Sequence, residues 1–152
     1  MVKKILFVCT GNICRSPMAE AIFNFKSDDN FVAISAGTLK GDGYEASEHG
    51  ITVLKSKGID LSNHRSQSIN NNLLKSADYV CCMANIHVHF LETNYPEHKD
   101  KYFKLADEDI FDPFRYNIEV YKEVANEIEE KIDKLLEKLN RDEKESLRNF
   151  RV

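Results

Sequence analysis

Short continuous apolar runs alternate along the chain with stretches in which apolar residues return every third or fourth position. These two rhythms predict strands and helices in turn. "KKILFVC" at 3–9 and "FVAISAG" at 31–37 read as strands buried on both faces, and "DYVCCM" at 78–83 and "YFKLA" at 102–106 read as a third and a fourth. After the first strand, Met18, Ala21, Ile22 and Phe25 share one helical face, with Ser16 as N-cap and Pro17 in the first helical position. Ala46, Ile51 and Leu54 mark a helix over 45–57 that stops at Gly58. Shorter helices are expected over 69–77 and over 85–93, the second ending before Pro96. Val120, Val124, Ile128, Ile132, Leu135 and Leu139 predict a long amphipathic helix, with the last dozen residues a charged, frayed tail.

Strands alternating with helices imply an α/β fold, a doubly wound parallel four-stranded sheet with helices on both faces. No repeat, low-complexity tract or linker divides the chain, so one domain over residues 1–152 is expected. In such sheets ligands sit beyond the carboxyl ends of the strands, near a topological switch. The decapeptide "VCTGNICRSP" at 8–17 falls at that address.

The net charge of −4 speaks against nucleic acid as the partner, because phosphate backbones select basic stripes. No stretch approaches the roughly 18 apolar residues of a membrane span. The apolar run Ile5–Cys9 is too short for the core of a signal peptide. The four cysteines, Cys9, Cys14, Cys81 and Cys82, are therefore expected as reduced thiols of a cytoplasmic protein. Neither C-x-x-C nor zinc-finger spacing occurs, and His87 and His89 diverge on a helix, so no metal site and no cofactor are expected. Nothing in the sequence bears on the oligomeric state.

The decapeptide holds more chemistry than a strand-to-helix turn requires. Cys9 and Arg15 are separated by five residues, and a loop of that length can aim the backbone N–H groups of Thr10, Gly11, Asn12, Ile13 and Cys14 at an anion. The following helix adds its positive end, and Arg15 a planar fork that fits two phosphate oxygens. A sulfur in that field favours the thiolate, so Cys9 is expected as a nucleophile in phosphoryl transfer. Ser16 is placed to donate to that sulfur. Gly11 and Asn12 suit backbone that must come close to a ligand or adopt positive φ, and Ser35 and His64 are candidates to hold Asn12. The leaving oxygen needs a proton, and Asp112 in "FDPF" is the expected donor, its carboxyl set between Phe111 and Phe114 in a low-dielectric turn.

These residues resemble the low-molecular-weight protein tyrosine phosphatases. "VCTGNICRSPMAEA", "SAGT" at 35–38, "GIDLSNHRSQ" at 58–67, "ADYVCCM" at 77–83 and "DPF" at 112–114 follow that family's order over residues 3 to about 140. The resemblance implies hydrolysis of protein phosphotyrosine through a cysteinyl-phosphate, with Cys9 as nucleophile, Arg15 as phosphate clamp and Asp112 as general acid. It implies Ser16, Asn12, Ser35 and His64 as supports, a tyrosine-phosphorylated protein as partner, and Cys14 as a redox partner able to trap an oxidised Cys9 as a disulfide.

The chain departs from the family at several positions. The family often has two aromatics after D-P and a Trp near S-A-G-T; here Phe114 is followed by Arg115 and there is no Trp, which leaves Ile13 and Phe114 as the expected substrate wall. Ala84 stands where an Asp is common. Arginine phosphatases of the same family carry Thr where this chain has Ile13, and an isoleucine favours an aryl ring over a guanidinium. A protein-arginine phosphatase, a thiol-linked arsenate reductase and a phosphate-binding module without turnover are the alternatives. Cys81 and Cys82, adjacent on a strand, read as packing residues and not as a disulfide relay.

Overall fold

The computed structural model describes residues 1–150. Strand β1 (Lys3–Cys9) leads through the decapeptide loop into helix α1 (Arg15–Lys26), and β2 (Phe31–Gly37) follows. Helices α2 (Glu48–Ser56) and α3 (Asn71–Ser76) precede β3 (Tyr79–Cys82) and α4 (Asn85–Asn94). A 3-10 turn over Pro96–Lys101, β4 (Tyr102–Lys104) and the long helix α5 (Ile118–Phe150) complete the order.

The four strands are all parallel, in the order β2-β1-β3-β4. The chain therefore steps from β1 to one neighbour and later returns to its other side, and the switch point lies at the carboxyl end of β1. Ile5, Phe7 and Cys9 of β1 face a core built with α1, α2 and α5. Leu6 and Val8 face the opposite layer, where Leu74 of α3 and Leu91 of α4 pack. Cys81 and Cys82 divide between these two layers, as adjacent strand residues must. Among the described residues, no helix is long and apolar enough to cross a membrane.

Several element boundaries differ from expectation for local reasons. Helix α1 starts at Arg15 with Cys14 in the capping position, because the Ser16 hydroxyl is bonded to Cys9 and Asn12 and does not serve as a cap. Its buried face is Met18, Ala19, Ile22 and Phe23, which leaves Phe25 60% exposed. Ser47 caps α2 by accepting from the Gly50 N–H at 3.3 Å, so that helix opens later than residue 45. The fourth strand ends at Lys104, and the chain bends at Leu105 and Ala106. The tail expected to fray is helical through Phe150, since 141–150 contains good helix formers and neither Gly nor Pro. Residues 151–152 of that tail lie outside the described residues.

Candidate active site

The site grows from the carboxyl end of β1. Cys9 is 2% exposed, and its Sγ lies 2.9 Å from Ser16 Oγ in the first turn of α1. Ser16 Oγ already accepts from Asn12 Nδ2 at 2.8 Å, so the Ser16 hydrogen is free to point at the sulfur.

Asn12 is the residue that bends the loop. Its φ of 56° is left-handed, a conformation asparagine tolerates better than most side chains. The other hydrogen of its amide goes to Ser35 Oγ at 2.9 Å, and its Oδ1 accepts from the Gln67 N–H at 2.9 Å. Ser35 passes its own hydrogen to Glu20 at 2.7 Å. The Asn12 carbonyl accepts from His64 Nε2 at 2.8 Å, which assigns the proton to that nitrogen. Asn12, Ser16 and Ser35 are all buried, each with partners, so the loop is held from behind by a closed polar set.

Of the two uses expected of Gly11, close approach to a ligand or a positive φ, the second is not taken up. Gly11 has no positive φ, and a Cβ there would meet only Ile13, at 3.9 Å. The crowded glycine is Gly37, paired with Cys9 in the parallel register, where a Cβ would sit 2.7 Å from the Thr10 carbonyl oxygen and 3.0 Å from the Asn12 nitrogen.

In front of the loop is a cavity of about 220 Å³. Cys9 and Arg15 line it together with Thr10, Gly11, Ile13 and Cys14, and Asp112, Phe114 and Leu39 complete the wall. Among the described residues, the backbone N–H groups of 10–14 donate to no protein acceptor, which leaves them available to an anion in the loop. A larger groove of about 410 Å³ lies between α2 and the 58–62 turn, but it holds neither a thiol nor an arginine.

Arg15 is 6% exposed and donates from Nη1 to the Ile110 carbonyl at 3.0 Å. Its Nη2 stands 3.6 Å from Asp112 Oδ2 and 3.4 Å from Thr10 Oγ1. The Asp112 side chain is half exposed, and so are Phe111 and Phe114, so the apolar enclosure expected around the carboxyl is not formed. Asp112 instead accepts from the Phe114 N–H at 3.1 Å within the D-P-F turn. Cys14 Sγ lies 3.3 Å from the Tyr121 hydroxyl of α5; burial pushes the Cys14 thiol up and the Tyr121 phenol up to about 12. Burial also raises Cys82 to about 12 and Cys81 well above its ordinary value.

Three contributors were not foreseen. Leu39 enters the cavity wall near the place where an aromatic was missed, because its N–H pairs with the Thr10 carbonyl at 2.9 Å. Gln67 anchors Asn12. His87, 1% exposed, sits 2.9 Å from Thr10 Oγ1, and its Nδ1 accepts from the Ala84 N–H, so the imidazole serves the helix start where an Asp side chain was missed. The rule that ligands gather at strand ends, applied to β3 as well as β1, points to the first turn of α4 and so to His87. Among the described residues, no three His, Cys, Asp or Glu side chains converge as a metal site.

Residues 4–145 match the family described as low molecular weight phosphotyrosine protein phosphatase. A protein-arginine-phosphatase of Geobacillus stearothermophilus is 43% identical over 145 residues, covering 91% of this chain and 97% of that protein. The solved YwlE arginine phosphatase from Geobacillus stearothermophilus superposes with a TM-score of 0.90 at 42% identity, covering 94% and 96% of the two chains. The low molecular weight protein tyrosine phosphatase from T. tengcongensis superposes with a TM-score of 0.87 at 46% identity, covering 90% of this chain and 99% of that one.

Proposed function

The chain belongs to the low molecular weight phosphotyrosine protein phosphatases, a family of phosphoric monoester hydrolases, and we propose that it hydrolyses phosphotyrosine in cytoplasmic proteins through a cysteinyl-phosphate. Cys9 Sγ attacks phosphorus, the S–P bond forms, and the P–O bond to the tyrosine breaks. Asp112 gives its proton to the leaving oxygen. It then takes a proton from water, whose oxygen attacks phosphorus, breaks the S–P bond and releases phosphate. The backbone N–H groups of 10–14 and Arg15 hold the phosphoryl oxygens while their charge shifts. No step calls for a metal or cofactor. Oxidation of Cys9 by peroxide to a sulfenic acid, followed by attack of Cys14 with loss of water, is a protective side path.

One observation carries the choice of an aryl substrate. Beside Cys9, Ile13, Leu39 and Phe114 form the apolar part of a wall to which Thr10 and Asp112 add the polar side chains. None of the three offers a partner to a guanidinium, which needs its N–H groups satisfied to enter. Arg115 adds a like charge beside Phe114 of this wall, its guanidinium 5.3 Å from the centre of that ring and its backbone at φ 70°.

The second reading is phosphoarginine hydrolysis, favoured by the 43% identity to a protein named for that activity. Turnover of phosphotyrosine, phosphoarginine and phosphoserine peptides under identical conditions decides between them. The expected result is highest kcat/KM for phosphotyrosine, abolished in Cys9→Ser; a preference for phosphoarginine overturns the assignment.

A further inference from the structure

We propose that the Thr10 hydroxyl donates a hydrogen bond to a phosphoryl oxygen of the substrate, and that His87 is the positioning residue that fixes it in the donating sense. This rests on the phosphatase reading and assigns two side chains to it.

The orientation follows from counting hydrogens. The Ala84 N–H donates to His87 Nδ1 at 3.1 Å, so that nitrogen carries no proton. Burial, and then the nearby Arg15 charge, lower the imidazole to about 4, so the ring is neutral near pH 7. Its single proton is therefore on Nε2, which donates to Thr10 Oγ1 at 2.9 Å. Arg15 Nη2 points at the same oxygen from 3.4 Å. A hydroxyl oxygen has two lone pairs and one hydrogen. With two donors on the oxygen, the Thr10 hydrogen has to leave in the remaining direction. Among the described residues no acceptor takes it, and Thr10 lines the cavity together with Cys9 and Arg15. A phosphoryl group on Cys9 brings acceptor oxygens to that side.

A merely structural tie between α4 and the loop would need only the His87–Thr10 contact, with either atom as donor. What goes beyond it is the fixed polarity: the ring nitrogen cannot accept, so the hydroxyl cannot turn its hydrogen away from the cavity.

The test compares Thr10→Val, Thr10→Ala, Thr10→Ser and His87→Asn with p-nitrophenyl phosphate as substrate and inorganic phosphate as ligand. Asparagine at 87 keeps an acceptor near the Ala84 N–H but does not reach Thr10. The expected kcat/KM falls about ten- to hundredfold in Thr10→Val and Thr10→Ala, as for a lost hydrogen bond to a charged group, and returns to within about threefold in Thr10→Ser. His87→Asn loses several-fold, and Thr10→Val with His87→Asn is no worse than Thr10→Val alone. Inorganic phosphate binding, read by calorimetry, weakens in the same order. Thermal unfolding accompanies each variant, and Thr10→Ala stands in if the valine variant does not fold. Thr10→Val or Thr10→Ala with wild-type turnover and phosphate affinity overturns the proposal, as does full additivity of the two substitutions. Failure of the phosphatase reading is separate: the wild type would not turn over p-nitrophenyl phosphate at all, and the phosphate affinities would still read the Thr10 donor.

Discussion

Arg15 Nη1 donates to the carbonyl oxygen of Ile110 at 3.0 Å, so a single side chain ties the loop after β1 to the turn that carries Asp112. Ile110 is 1% exposed, and its carbonyl finds that donor across 95 positions of sequence. The remaining arm of the fork, Nη2, faces Asp112 and Thr10. Arg15→Lys keeps the charge but replaces the planar fork by one ammonium that cannot serve both ends. Turnover of p-nitrophenyl phosphate is expected to fall at least about a hundredfold, and urea unfolding to show a loss of about 1–3 kcal/mol from the orphaned carbonyl. A lysine variant within tenfold of wild type would dismiss the tie.

Gly37 is needed for space and not for its backbone angle. Its missing Cβ leaves room for the Thr10 carbonyl, which a methyl would approach to 2.7 Å. The Thr10 carbonyl oxygen, the Gly11 carbonyl carbon and the Asn12 nitrogen that the methyl would meet are all backbone, so relief requires the loop itself to shift. Gly37→Ala is expected to cost about 1–3 kcal/mol in stability, the usual range for overpacking, and to lower kcat with it. Gly11→Ala meets only a side-chain contact at 3.9 Å and is expected to keep its unfolding midpoint. Equal losses of stability in the two variants would sink the distinction.

The contrast between these glycines shows what the sequence could carry. The spacing of Cys9 and Arg15, and the D-P turn at Asp112, are local, and local chemistry is legible without coordinates. The alternation of apolar runs gave the sheet and its two helical layers for the same reason. Gly37, Leu39 and His87 matter only because β1 pairs with β2 on one side and β3 on the other. Pairing Cys9 with Gly37 is what brings Leu39 beside Thr10, and pairing Val8 with Cys82 is what brings the start of α4 beside the loop. The exposure of Asp112 was missed because flanking aromatics imply enclosure only if their rings turn inward, and Phe111 packs outward on Tyr116 at 5.2 Å.

Burial should separate the four thiols chemically. Cys81 and Cys82 are fully buried in β3, with their thiols held high by the absence of solvation, and Cys14 is raised for the same reason. Only Cys9 has both a place in the cavity and the donor hydroxyl of Ser16 at 2.9 Å. Brief iodoacetamide treatment of the native protein at pH 7 is expected to add one label, at Cys9, with the other three labelled only after unfolding. Native labelling of Cys81 or Cys82 would reopen a relay through those thiols.

A charge cluster far from the site makes stability depend on pH. Glu129 of α5 accepts from Lys57 at 2.8 Å and pairs with Lys26 at 3.0 Å, and these bonds hold its carboxyl below the ordinary 4.5. A depressed carboxylate stabilises the fold above its unfolded-state pKa, and that contribution is lost as pH falls through the folded value. Since all three side chains are partly solvated, the contribution is about 1 kcal/mol or less. Glu129→Gln is thus expected to lower the unfolding temperature at pH 7, with the gap closing once the pH drops below that of the folded carboxyl. Thermal scans of both proteins across acid pH read this directly, and a gap that widened towards acid would contradict it.

On the proposed phosphotyrosine reading, Ile13 is the side chain expected to favour an aryl over a guanidino substrate, and its replacement is expected to invert that preference. The side chain lies in the cavity wall with Leu39 and Phe114, where an aryl ring gains by removing apolar surface from water. Ile13→Thr replaces the two-carbon ethyl branch of that side chain by a hydroxyl. On phosphotyrosine the lost apolar contact is worth at least the roughly 1–3 kcal/mol of a methylene in an apolar pocket, so kcat/KM is expected to fall by at least about tenfold. On phosphoarginine the hydroxyl supplies a partner for a guanidinium N–H that isoleucine leaves unsatisfied, and turnover is expected to rise by at least about tenfold. The two changes run in opposite directions, so their ratio is insensitive to any general damage from the substitution. Paired kcat/KM values on matched peptides measure that ratio, and a variant that lost both activities equally, or gained neither, would show that the discrimination does not reside at Ile13.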